Sequence, residues 1–176
     1  ALLAVAVLPV AAAPAPPEPS AELLARARAI LERAPLIDAH NDLPSMLIEK
    51  GDEAWKAIDL GAVQPQLCAD IPRLRAGRVG AQYWSIFTAS ENAHTRTSLH
   101  EAVREIDVVL EMIRLYPELE LARTADDIER IHRAGRIASL MGIEGGHMIE
   151  DALGVLRVFH RLGARYMTLT HWNNVP

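Results

Sequence analysis

Val79 to Thr88, VGAQYWSIFT, runs ten residues without a charge and is rich in aromatic and β-branched side chains. That composition reads as a strand. A second uncharged run, Ile137 to Ile143 (IASLMGI), has the look of a buried strand that delivers Glu144 at its end. Two shorter runs complete the set: residues 36 to about 40, following Pro35, and Arg165 to Thr170 (RYMTLT), which delivers His171. Between them lie helical patterns. Ser20 is an N-cap candidate ahead of Leu23, Leu24, Ala27, Ile30 and Leu31. Ser98 and Glu101 have capping-box spacing ahead of a face formed by Leu99, Val103, Ile106, Leu110 and Ile113, which Pro117 stops. Asp70 to Gly77 reads as a helical turn closed by glycine, and Thr124 to Gly135 as a short helix. Residues 148 to 162 form another helix, with Leu153, Leu156, Phe159 and Leu162 inward and Gly163 at its end. Strand and helix alternate about four times, which argues for parallel βα units, in either a doubly wound sheet or a barrel.

The polar residues at the strand ends are the candidates for chemistry. His40 and Asp42, two positions apart in Leu36-Ile37-Asp38-Ala39-His40-Asn41-Asp42-Leu43-Pro44, share a face if the backbone is extended. An imidazole and a carboxylate so placed make half of a site that zinc accepts, or else a hydrogen-bonded pair in a loop. Glu144 lies between an apolar strand and Gly145-Gly146, where a partly buried carboxylate needs a partner such as a cation; capping the next helix is the alternative. His171 could ligate a metal, donate a proton, bind substrate, or bond only to its neighbours. All four follow the carboxyl ends of expected strands, where α/β enzymes collect their functional groups. No Gly-rich phosphate loop follows any strand. His94, His100, His132 and His160 read as solvated histidines, and His147 either turns toward the site or starts the next helix.

A net charge of −5, with Arg interspersed among Asp and Glu, gives no basic stripe for nucleic acid. Cys68, the lone cysteine, leaves no thiolate cluster for a metal and reads as a small buried hydrophobe. Residues 1–13, ALLAVAVLPVAAA, match the later part of a secretory signal peptide, and a Pro-rich linker follows to residue 19. Export to a periplasm or beyond is expected, with membrane association as a further option, and residues 20–176 form the second unit.

In order along the chain, LIDAHNDLP, DIPRLRAGRVGAQYWSIF, GIEGGHMIEDALGVLRVFHRLGARYMTLTH and the following NN closely resemble the membrane (renal) dipeptidase family of zinc peptidases. The resemblance implies a (β/α)₈ TIM-like barrel, of which this chain would be a fragment, roughly the first half. It also implies two Zn²⁺ ions and cleavage of dipeptides by a metal-bridged hydroxide. On this resemblance His40 and Asp42 bind one zinc, Glu144 bridges both, and His171 binds substrate and stabilises the tetrahedral intermediate. The family's further ligands and its carboxylate-binding arginine would lie beyond Pro176. Dipeptides are the expected partners, with a homodimer of the complete protein as a further option. Two rival functions share the scaffold: a metal-dependent amidase acting on cyclic amides, lactams or N-acyl amino acids, and a non-catalytic binding protein.

Overall fold

The computed structural model describes residues 18–172 and residue 174. The expected signal segment therefore lies outside the described residues. A five-stranded sheet organises the chain, and every strand pair in it is parallel. Strand β1 (Leu36–Asp38) pairs with β2 (Val79–Ile86), and β2 pairs with β4 (Ile137–Glu144). The far edge of β4 is shared. Its first residues pair with β3 (Leu119–Leu121) and its last with β5 (Ala164–Thr168). Strand β3 is an addition to the four expected strands. With only three residues, Leu-Glu-Leu, it carries too little pattern to stand out from the sequence.

Seven α-helices accompany the sheet among the described residues: α1 (Ala21–Arg33), α2 (Leu43–Ile48), α3 (Ile71–Ala76), α4 (Asn92–Thr95), α5 (Ser98–Leu115), α6 (Ala125–Arg133) and α7 (Leu153–Leu162). One face of the sheet carries the main core. There Trp84 and Ile86 of β2 and Met141 and Ile143 of β4 pack with Leu43 and Leu47 of α2, Ile106, Val109 and Met112 of α5, and Phe159 of α7. The alternate residues Ala81, Ala138 and Leu140 lie on the opposite face and pack with Ile128 and Ile131 of α6. Burying both faces is what demands uncharged strands, and residues 137–143 are all buried.

Several local expectations need correction. Ser20 caps α1, its hydroxyl accepting from the Leu23 N–H, but α1 buries none of its residues and Leu23, Leu24 and Ile30 stay exposed. The N-cap position of α5 falls on Thr97, not Ser98, and Thr97 makes no side-chain capping bond. Ser98 is the first helical residue, its hydroxyl buried without a hydrogen-bond partner among the described residues, while Glu101 pairs with Arg104. The inward face of α5 is also rotated. Ala102, Glu105, Ile106, Val109 and Met112 are buried, and Val103 is exposed. The rotation has a cause: Glu105 is a core residue, its carboxylate accepting from the Phe87 N–H (2.6 Å) and the Ser45 hydroxyl (3.0 Å). The capping box that does form, Thr124 with Asp127, opens α6. The expected helix over 148–162 is a 3₁₀ turn (Gly146–Ile149) followed by α7, interrupted where Glu150 and Asp151 take positive φ. Of the four residues expected inward on it only Phe159 is fully buried, and Leu153 is exposed. Cys68 is exposed, its thiol donating to Asn41 Oδ1. His132 is half-buried, with its ring where a side chain on Gly80 would stand.

Candidate metal centre

Strand β1 ends at Asp38, shorter than expected, so His40 and Asp42 are not strand residues. The loop nonetheless keeps the alternation of an extended chain, because β2 continues to hold it. The Ser85 N–H donates to the Asn41 carbonyl (2.9 Å), extending the ladder beyond the formal strand. The Asn41 side chain turns into the main core, where its amide donates to Gln82 Oε1 and its Oδ1 accepts from the Leu43 N–H and the Cys68 thiol. With Asn41 anchored on one side, His40 and Asp42 face the other. Asp42 then occupies the N-cap position of α2, and Pro44 in the first turn suits the start of that helix.

Glu144 enters from the end of β4, its side chain only 17% exposed. Ser85, one of the inward-facing residues of β2, donates its hydroxyl to Glu144 Oε2 (3.0 Å). His40 Nε2 lies 2.9 Å from Asp42 Oδ1 and 3.6 Å from Glu144 Oε2. One ligand atom from each of His40, Asp42 and Glu144 falls within 4.8 Å of the others. His171, just beyond β5, brings Nδ1 to 3.7 Å from Glu144 Oε1, and its ring meets Phe87 and Trp172 edge-on. The four residues expected from the sequence thus converge on one point at the carboxyl ends of β1, β4 and β5.

The donor set suits a divalent cation. One imidazole and two carboxylates match the ligand chemistry of zinc, and among the described residues the ion pairs of Asp42 and Glu144 are with histidines alone. No lysine or arginine competes for the carboxylates there, so a cation is the natural counter-charge.

The surrounding residues hold this arrangement. Gly145 takes φ +131°, and the His147 ring lies 2.6 Å from where its Cβ would be, so the turn after Glu144 requires glycine. His147 Nε2 is hydrogen-bonded to Thr88 Oγ1 (3.0 Å), and burial, with the nearby His171 adding to it, lowers its pKa below the ordinary histidine value. It buttresses the turn and stays out of the donor cluster. Sequence reasoning alone misses Ser85, Asn41, Glu105 and Tyr166. Polar residues inside a strand or on an apolar helix face are the available signal.

The model of the membrane dipeptidase family, peptidase family M19, matches residues 24–176. The chain belongs to this family. Among curated relatives, Dipeptidase 3 of Macaca fascicularis is 37% identical over 155 residues, covering 88% of this chain and 31% of the relative. Dipeptidase ataJ of Aspergillus terreus is 40% identical over 159 residues, covering 86% and 38%. The fold is shared with the probable dipeptidase PvdM from Pseudomonas aeruginosa (TM-score 0.72, 19% identity, 87% of this chain and 38% of that one). It is also shared with a metallopeptidase from Rhodobacter sphaeroides liganded with a phosphinate mimic of L-Ala-D-Ala (TM-score 0.63, 20% identity, 81% and 47%). The chain thus spans well under half the length of these curated relatives.

Proposed function

We propose that the protein is an exported, zinc-dependent dipeptidase, and that residues 20–176 carry the first strands of its (β/α)₈ barrel and part of its metal centre. One observation carries the reading: His40, Asp42 and Glu144 bring donor atoms within 4.8 Å of one another at the carboxyl ends of parallel strands. His40 and Asp42 would hold one ion, and Glu144, with an oxygen facing each histidine, would bridge to a second. Zinc in such a site supplies Lewis acidity toward water and toward a carbonyl oxygen. Ser85 fixes the Glu144 carboxylate by donating to Oε2. His171, on a separate strand end, would donate to the scissile carbonyl oxygen as charge develops there. Export is proposed from the apolar leader of residues 1–13; no helix among the described residues is long and apolar enough to cross a membrane.

The test is Glu144→Gln in the full-length protein, with zinc content and turnover on a panel of dipeptides, lactams and N-acyl amino acids measured alongside the parent. The parent should carry zinc and prefer dipeptides. The variant should lose metal and drop in kcat by orders of magnitude, on the order of 10²-fold or more. A variant that keeps its zinc and near-normal turnover would refute the bridging role.

A further inference from the structure

Tyr166 and Ala39 are 127 positions apart, on opposite sides of the sheet path, yet the Tyr166 hydroxyl donates to the Ala39 carbonyl at 3.0 Å. To make that bond the ring lies across β4, on the face that carries the metal centre. Gly142 opens the way. A Cβ there would stand 2.0 Å from Tyr166 Cζ, so the phenol lies directly on the β4 backbone. The Tyr83 ring flanks it, with centroids 5.2 Å apart.

The carbonyl that Tyr166 grips belongs to the peptide unit joining Ala39 to His40. The other end of that planar unit, the His40 N–H, donates to Asp38 Oδ1 (3.2 Å). Carbonyl and amide of one rigid plane are thus held from two sides. The tilt of that plane decides where the His40 Cα–Cβ bond points, and so where Nε2 meets Asp42 and Glu144.

We propose that Tyr166 is a positioning residue for the metal ligand His40, acting across the sheet through the Ala39 carbonyl, with Gly142 kept free of a side chain to let it through. This rests on the metal reading above. A hydrogen bond that merely satisfied a loop carbonyl would stabilise the fold without touching metal affinity, whereas a clamp on the ligand's own peptide plane acts on affinity.

The experiment titrates the metal-free protein with Co²⁺, following its visible absorption, for the parent, Tyr166→Phe and Gly142→Ala. Tyr166→Phe keeps the ring and its packing and removes only the hydroxyl. Its Co²⁺ affinity should be about tenfold weaker, in the range typical of residues that orient ligands, while the metal-free protein melts close to the parent. Gly142→Ala, which displaces the ring, should weaken affinity at least as much; if it does not fold, Tyr166→Phe carries the test alone. Unchanged Co²⁺ affinity in Tyr166→Phe, whatever its melting temperature, overturns the proposal. A parent that binds neither Co²⁺ nor Zn²⁺ overturns the metal reading instead, so the two failures are told apart.

Discussion

Glu105 should make the protein lose stability as pH rises through the acid range, and Glu105→Gln should abolish that loss. The carboxyl is 4% exposed on the core face of α5. Burial pushes its pKa up from 4.5 to about 7, with the charges of Asp42 and Glu101 adding to the rise and the bonds from Phe87 and Ser45 opposing it. The unfolded chain releases this proton near 4.5, while the folded chain holds it to about 7. Between those values the folded state binds more protons, so stability falls with rising pH; it is fully present below 4.5 and levels off above 7. At about 1.4 kcal/mol per pH unit, the loss is about 3 kcal/mol. Glutamine is neutral, can still accept from the Phe87 N–H, and can donate to the Ser45 hydroxyl oxygen. Urea unfolding midpoints in chelator, so that metal linkage is absent, should be compared for parent and variant from about pH 4.5 to about pH 8. The difference should be small at the acid end and favour the variant by up to about 3 kcal/mol at the alkaline end. A difference that stays flat across the range would refute the assignment of a buried, proton-holding carboxyl.

His171→Ala should lower kcat by roughly 10²- to 10³-fold with metal content unchanged, as loss of an oxyanion donor does; loss of metal in that variant would make His171 a ligand. Ser98→Ala should raise the unfolding free energy by about 1 kcal/mol, because the Ser98 hydroxyl is buried without a partner among the described residues; a destabilised variant would show that this hydroxyl is in fact satisfied.

Those residues also mark how far sequence reasoning reaches. The long strands are recognisable because β2 and β4 are buried on both faces, and an uncharged run of that length fits little else than the inside of a sheet. Glu144 and His171 are recognisable because they are the first polar groups after such runs. The pairing of His40 with Asp42 is legible for a partly wrong reason. Strand geometry would align them, but the strand stops at Asp38 and hydrogen bonds to Asn41 maintain the alternation instead. The face of α5 is misread because a glutamate ordinarily seeks water, and Glu105 finds its donors on other elements, 18 and 60 positions away. Tyr166 is hidden for the same reason. Its partner is fixed by strand order, which no local pattern encodes.

Strand β4 is held along its length by β2 on one side and by β3 and β5 in turn on the other. Its ladder should be among the last parts of the sheet to exchange amide hydrogens, opening only when much of the fold opens. The loop bearing His40 and Asp42 follows a strand of only three residues and is held mainly by side-chain bonds and a single ladder bond to Ser85, so its amides should exchange sooner. The donor cluster therefore joins a carboxylate on a strand ladder to two ligands on a loop. Of the three donors, Glu144 is the one whose position depends least on its own side-chain bonds, and His40 the one that depends on them most.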